Sequence, residues 1–274
     1  MRGLTDAVRS RLDEQARALV HHAEGARADT DAEHVHQLRV SVRRARAVLK
    51  TVRTFEHLQA ELQWLGGACG DVRDADVMLA RFRAEAADFT EDERDAVERL
   101  LDGLVKQRRG ARRHMLAALR SARFRGLVAE LEEAARTVEP AAGEDAPVGD
   151  VVDRPRRKFA KAVDALGDDP PDDDLHRLRI RGKRLRYAAE MVGGKKAKKL
   201  VKATKDLQDV LGDHQDATVA EDRLRALVDA MESPDTEVVL VAGRLIERER
   251  ARKAECRKRW RAVAGEVGDR AGAL

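Results

Sequence analysis

The amino-acid sequence predicts an all-α protein made of two tandem four-helix bundles, and three observations lead to this prediction. The chain has 274 residues, of which 43% are hydrophobic, enough for a sizeable core. Only 3% of the residues are aromatic, which disfavours a β-sandwich or barrel, since strands favour aromatic and β-branched side chains. The third observation is an internal repeat with a nearly constant spacing of about 140 residues.

The repeat consists of two motifs that each occur once in either half of the chain. Residues 36–46 (HQLRVSVRRAR) align with residues 176–186 (HRLRIRGKRLR) at an offset of 140. Further along, residues 70–77 (GDVRDADV) align with residues 212–219 (GDHQDATV) at an offset of 142. Because the offsets agree, we interpret the chain as a tandem duplication with a pseudo-twofold relation between its halves.

The segment between the halves, residues 139–147 (EPAAGEDAP), has the composition of a linker. We therefore predict a first half over residues 1–139, a linker over 140–148 and a second half over 149–274. Together the two halves form one domain.

Apolar residues recur at helical spacing throughout both halves. In the first half this spacing predicts helices over residues 4–24, about 33–62, 61–84 and 91–136. The breaks are predicted at residues 25–30, at Gly66 and Gly67, and at residues 89–92.

In the second half the same spacing predicts helices over residues 149–166, 174–192, 195–230 and 235–265. Glycine and proline separate them at residues 167–171, 193–194 and 233–234. Acidic residues at 172–174 are placed to cap the second of these helices and to complement its dipole.

Positive charge is concentrated in two windows of the chain. Residues 34–55 contain six lysines and arginines and no acid, and residues 175–205 contain twelve against the single acid Glu190. The formal net charge is only +4, so the remainder of the chain is net acidic. Concentrated positive charge of this kind gathers anions and indicates a polyanion-binding site. The alternative is that both windows are ordinary solvated helix faces.

On a helical wheel, the basic residues of each window fall on one side and the apolar residues fall on the other. In the first window this side forms a stripe about 80° wide and ~21 Å long, too long for a single phosphate. Its members are His36, Arg39, Arg43, Arg46 and Lys50. The equivalent residues of the second window are His176, Arg179, Lys183 and Arg186. A histidine in this position is also compatible with a simple buried or capping role.

A lysine cluster opens the helix that follows the second window, near its N-terminus, where free N–H groups also favour anions. The clustered lysines are Lys195, Lys198, Lys199 and Lys202. The first half has no matching cluster, so the predicted site is weighted towards the second half. Arg112 and Arg248 are candidates for a further basic wall, although a solvated face explains them nearly as well.

Carboxylates at helical spacing, such as Asp71 and Asp213, are interpreted as partners of neighbouring arginines rather than as metal ligands. The two cysteines, Cys69 and Cys256, are far apart in sequence and form no metal or disulfide motif. We therefore expect no metal and no cofactor.

The two His-x-x-Arg segments, residues 70–77 and residues 207–216 (LQDVLGDHQD) together resemble the CHAD family, the conserved histidine α-helical domain. The resemblance extends from about residue 4 to residue 265. It implies two four-helix bundles around a central basic groove that binds inorganic polyphosphate. Many members also carry a CYTH domain; its Glu-x-Glu-x-Lys signature does not occur in this sequence, so we expect a stand-alone CHAD protein.

The resemblance assigns polyphosphate binding to the basic residues of both motifs and to the lysine cluster. The residues implied are His36, Arg39, Arg43, Arg44, Arg46, His176, Arg179, Lys183, Arg184, Arg186, Lys195, Lys198, Lys199 and Lys202. Arg73 and Asp76 of the first half correspond to Gln215 and Thr218 of the second, which puts a symmetric role for those positions in doubt.

The leading functional hypothesis is therefore binding of polyphosphate without catalysis. Nucleic-acid binding would use the same phosphate contacts, but the sequence has few aromatic residues for base stacking. An enzyme acting on polyphosphate or nucleotides is a further alternative, although no P-loop or HExxH motif occurs. A helical scaffold for an acidic protein partner is the last alternative.

The N-terminus is mixed and charged rather than apolar, and no apolar run reaches the ~18–20 residues of a membrane span. We therefore expect a cytoplasmic protein without a membrane partner. Some CHAD proteins locate to polyphosphate granules, which implies granule proteins as further partners. The sequence leaves open the oligomeric state and the preferred polyphosphate chain length.

Overall fold

The computed structural model describes residues 4–28, 32–52, 55–137, 148–192 and 194–274. Within these ranges the chain forms α-helices and no strand, which confirms the predicted fold class. The helices are α1 (Leu4–Ala28), α2 (Ala32–Val52), α3 (Glu56–Glu85), α4 (Glu91–Arg120), α5 (Ala122–Thr137), α6 (Val148–Asp164), α7 (Asp172–Val192), α8 (Gly194–Asp229) and α9 (Thr236–Gly272). None of these helices has an apolar stretch long enough to cross a membrane.

Gly66 and Gly67 lie inside α3, so the break predicted there is wrong. A helical glycine costs about 1 kcal/mol relative to alanine, a cost that burial of neighbours such as Leu62 and Leu65 offsets. Gly66 also has a packing role, because a Cβ added to it would lie only 3.2 Å from Cγ1 of Val42 on α2.

The helix predicted over residues 91–136 is in fact two helices, α4 and α5, separated at Ser121. The hydroxyl of Ser121 accepts a hydrogen bond from the backbone N–H of Phe124 at 3.1 Å, as an N-cap residue does. The helix predicted over residues 33–62 ends earlier, as α2 at Val52. Within the described residues, the first half therefore has five helices rather than four.

In the second half, the four predicted helices correspond to α6, α7, α8 and α9. The last of them continues to Gly272, beyond its predicted end at residue 265. Asp235 caps α9, and its carboxylate accepts a hydrogen bond from the backbone N–H of Val238 at 2.8 Å.

The described chain divides into two compact units. The first comprises residues 1–84 and 101–144, and the second comprises residues 85–100 and 145–274. Helix α4 thus contributes residues to both units. The predicted linker over residues 140–148 lies almost entirely outside the described residues, so the proposed tandem duplication remains a prediction.

Each unit has its own buried core. The core of the first unit draws on α1, α2, α3, α5 and the second part of α4, with Leu12, Leu38, Leu62 and Met115 fully buried. The core of the second unit draws on α6, α7, α8 and α9, and Trp260 is its largest fully buried side chain. The core of the first unit buries one side of α2, and the core of the second unit buries one side of α7. The opposite side of each helix is therefore free to carry polar residues.

Asp172, the first residue of α7, connects three helices of the second unit. Its carboxylate accepts hydrogen bonds from Arg257 and, at 2.8 Å, pairs with Lys253, both on α9. Nε2 of His214 on α8 lies 3.3 Å from the same carboxylate. Burial alone would raise the pKa of Asp172, but hydrogen bonds from Lys253 and Arg257 lower this pKa to about 2. Burial lowers the pKa of His214 despite the nearby Asp172.

We predict that Asp172→Asn destabilises the protein by about 1–3 kcal/mol at pH 7, because Lys253 and Arg257 lose a charged acceptor. Asp172 ionises more readily in the folded protein, at a pKa of about 2 rather than 3.8. Its contribution is therefore fully present above pH 3.8 and disappears as the pH falls towards 2.

Urea unfolding of the wild type and D172N at a series of pH values checks this prediction. The matched control is Asp173→Asn, which removes an exposed carboxylate from the same first turn and should cost only a few tenths of a kcal/mol. A difference between the wild type and D172N that does not shrink below pH 3.8 would contradict the assigned role.

Candidate anion-binding site

Helix α2 places its basic residues as the helical wheel predicts, on the side opposite the core of the first unit. Leu38, Val42 and Leu49 are buried, whereas Arg43 and Arg44 are exposed. His36, Arg39 and Arg46 are half-buried. The side chain of Lys50 lies outside the described residues.

Residues of α3 hold two of the α2 arginines in place. Arg39 donates hydrogen bonds to Asp74 and, at 3.4 Å, to the backbone carbonyl of Gly70. Arg46 donates to the side-chain oxygen of Gln63 at 3.0 Å. Asp74 therefore acts as the ion-pair partner that the sequence analysis expected of these carboxylates. Asp71, its neighbour in the motif, is exposed.

Within the second unit, Arg179 of α7 makes a similar contact with α8. A Cβ added to Gly212 would lie 3.6 Å from Nη2 of Arg179, and one added to Gly70 would lie 3.9 Å from Nη1 of Arg39. In each unit, therefore, the arginine of the His-x-x-Arg motif lies over the glycine of the Gly-Asp motif. The aligned motifs make the same contact, each within its own unit.

Several buried donors around α7 have no hydrogen-bond partner among the described residues. They are Nδ1 of His176, Nε of Arg179 and Nε2 of Gln208, whereas Nε of Arg186 lies 3.4 Å from Oε1 of Glu190. A buried polar atom left unsatisfied costs about 1–3 kcal/mol. Buried nitrogens beside α7 therefore remain without hydrogen bonds to the described residues.

The predicted lysine cluster lies along the exposed side of α8. Ala197, Leu200 and Ala203 of the same turns are buried. The exposed lysines are Lys195, Lys196, Lys198, Lys199, Lys202 and Lys205. In the part of the chain that the structure describes, none of these six lysines forms an ion pair, so their charge is balanced only by solvent.

The cations of α9 behave differently, because acids of the second unit pair with them. Arg250 donates to Glu221 at 3.0 Å and to Glu247, and Arg257 pairs with Asp169 and Asp172. Arg248, a candidate from the sequence, pairs with Asp88 at 2.7 Å and lies over the ring of Phe89. Arg112, the other candidate for a basic wall, is half-buried on α4.

A small basic pocket of about 110 Å³ lies between α6 and α7 of the second unit. Arg154, Pro155, Lys158, Arg181 and Arg184 line it. No ion pair to any of its four cations occurs among the described residues. Four positive charges around a cavity of this size repel one another, and a bound anion would relieve that repulsion.

Of the residues that line this pocket, only Arg184 is predicted from the sequence. The missed signal is the basic run Arg154-Pro-Arg-Arg-Lys158 on α6. Arg181 was within the second basic window, but it falls outside the stripe that the helical wheel selected. Only the packing of α6 against α7 shows that these residues share a cavity.

The two cysteines are both buried and are not paired with each other. Cys69 is fully buried, and burial raises its pKa to about 12. Burial also raises the pKa of Cys256. Both thiols therefore stay protonated and unreactive at neutral pH.

Comparison with protein-family models identifies one family. The sequence profile of the CHAD domain matches residues 10–225 of the chain. Two Mycobacterium tuberculosis proteins, from strains CDC 1551 and H37Rv, are both described as uncharacterized. Each is 36% identical over 235 residues, which cover 80% of this chain and 45% of the relative. The chain therefore spans less than half the length of these relatives.

Two solved structures have a similar fold. The crystal structure of the CHAD domain from the plant Ricinus communis has a TM-score of 0.72 and 25% identity, covering 96% of this chain and 92% of that chain. PptA from Streptomyces chartreusis has a TM-score of 0.73 and 22% identity, with coverages of 95% and 97%.

We predict that cations with and without acidic partners respond differently to substitution. Arg184→Gln should change stability by no more than about 0.5 kcal/mol, because its loss relieves repulsion in the pocket. Arg257→Gln should cost about 1–3 kcal/mol, because Asp172 and the carbonyl of Pro170 lose a donor. Urea unfolding of both variants measures the difference. Equal destabilisation would mean that Arg184 has a structural role.

Proposed function

The chain belongs to the CHAD domain family, and on that basis we propose that it binds inorganic polyphosphate without catalysing its turnover. The proposal rests on one observation. The four cations of the pocket between α6 and α7, and the six exposed lysines of α8, have no acidic partner among the described residues. By contrast, Arg250 and Arg257 of α9 in the same unit each form an ion pair with an acidic residue. Unpaired cations at helical spacing destabilise a protein slightly, so an anionic ligand gives a reason for their presence.

The arrangement suits a linear chain of phosphates better than a single one. Lys195 and Lys202 are seven positions apart on α8, which is about 10 Å at the rise of an α-helix. The pocket between α6 and α7 adds four more cations. A polymer with a charge on each phosphate can contact several such cations at once, whereas one phosphate ion can contact only a few.

The two kinds of cation have separate roles in this proposal. Guanidinium groups of Arg181 and Arg184 offer paired donors that match phosphate oxygens. The ammonium groups on α8 act as mobile point charges that follow the polymer. On α2, Arg43 and Arg44 are exposed and extend the basic surface of the first unit. Lys50 and Arg112 remain proposed members of the site, and so does Arg248, although Arg248 forms an ion pair with Asp88.

Binding of this kind is expected to weaken with salt, because each contacted phosphate releases a condensed counterion. Nucleic acid offers the same phosphate charge and is the principal competing ligand. An acidic protein would also be attracted to these cations, but it would not require a continuous row of them.

We predict that neutralising the α8 cluster, in the variant K195Q/K198Q/K199Q/K202Q, weakens binding of long-chain polyphosphate by about tenfold or more. Calorimetric titration in near-physiological salt measures the affinity. The four lost contacts should also make the salt dependence of the affinity shallower than that of the wild type.

The matched control is R225Q/R250Q/K258Q/R270Q, which removes the same charge from exposed residues of the second unit. Each of these four residues is paired with a glutamate. We expect the control to lose much less affinity than the cluster variant. Equal losses would show that only net charge matters, and an unaffected cluster variant would exclude the α8 lysines from the site.

A further inference from the structure

Three histidines of the first unit meet in a cluster that the proposed polyphosphate site does not use. His21 and His22 are consecutive residues of α1, and His34 lies on α2. Each offers a ring nitrogen, and these three nitrogens all lie within 4.8 Å of one another. Nδ1 of His22 and Nδ1 of His34 are 3.2 Å apart.

These distances fit a shared metal ion. Zinc–imidazole bonds are about 2.0–2.1 Å long, and two nitrogens bound to one tetrahedral zinc are therefore about 3.3 Å apart. The separation between His22 and His34 is already close to that value. His21 is exposed, and its ring nitrogen lies within 4.8 Å of those of His22 and His34.

Gly25 makes room for the ring of His34. A Cβ added to Gly25 would lie 2.4 Å from three atoms of that imidazole, a distance that real side chains do not tolerate. The close approach of the His34 ring to α1, next to His22, therefore depends on the absence of a side chain at residue 25. This dependence distinguishes the cluster from histidines that meet by chance on a surface.

We propose that His21, His22 and His34 bind a divalent transition-metal ion, with zinc as the physiological candidate. Three imidazoles are a typical donor set for such ions, and they leave one tetrahedral position for water. The ion would join α1 to α2 near the connection between them. It would thereby fix the part of α2 that precedes His36 and Arg39. This proposal does not depend on polyphosphate binding.

The test is calorimetric titration of the full chain, without an affinity tag, with zinc chloride in a buffer free of phosphate. We expect one zinc per chain for the wild type. His22→Gln and His34→Gln should each weaken binding by about tenfold or more, because each removes one of three ligands. His114→Gln, at an exposed histidine of the same unit, is the matched control and should bind as the wild type does.

Two further measurements make the test specific. Gly25→Ala keeps all three histidines but displaces the His34 ring, and it should weaken zinc binding as well. Cobalt, used in place of zinc, should give the intense visible absorption of a tetrahedral site in the wild type and lose it in H34Q.

The absence of saturable zinc binding in the untagged wild type would overturn the proposal. Unchanged affinity in H22Q and H34Q would do the same, since the zinc would then bind elsewhere. If either variant fails to fold, His21→Gln decides the question, because His21 is exposed and its replacement leaves the core intact.

Discussion

In both units one recurring interaction ties the basic face to the next helix, an arginine that lies over a glycine. In the first unit Arg39 of α2 lies over Gly70 of α3, and in the second Arg179 of α7 lies over Gly212 of α8. A Cβ at either glycine would lie 3.6–3.9 Å from the guanidinium, an ordinary van der Waals distance, so the interaction rests on the arginine rather than on a lack of space. In the first unit Arg39 also donates hydrogen bonds to Asp74 and to the carbonyl of Gly70. Burial of apolar residues such as Leu38 and Leu178 determines which side of α2 and α7 faces away from the core.

The distribution of acidic partners then separates structural cations from those available to a ligand. On α9, Arg257 and Lys253 converge on Asp172, and these interactions hold α9 against the start of α7. The pocket cations Arg154, Lys158, Arg181 and Arg184 and the six exposed lysines of α8 have no such partner within the described ranges. The proposed function follows from this contrast, because total charge alone, at +4, would not predict a polyanion ligand.

The sequence was sufficient to predict what depends on a single helix. The apolar and basic sides of α2 and α7 follow from helical spacing, and the structure places Leu38 and Leu178 in the cores accordingly. Features that depend on the packing of one helix against another were not predictable in this way. The glycines inside α3 were misinterpreted as a break, because only contact with Val42 explains Gly66.

The same reason explains the residues that sequence reasoning missed. Arg154 and Arg181 belong to different helices, and His34 is separated from His21 and His22 by the connection between α1 and α2. No periodicity within one helix brings such residues together. The exposed lysines of α8 were predictable because they are close in sequence, although their lack of ion pairs became apparent only from the structure.

The most direct test of the central claim is a comparison of ligands on the intact wild-type protein. Long-chain polyphosphate, single-stranded DNA and duplex DNA of matched charge would be titrated calorimetrically at near-physiological salt. The proposed function predicts tight binding of polyphosphate and much weaker binding of both nucleic acids. Equal or tighter binding of nucleic acid, or no binding of polyphosphate, would contradict it.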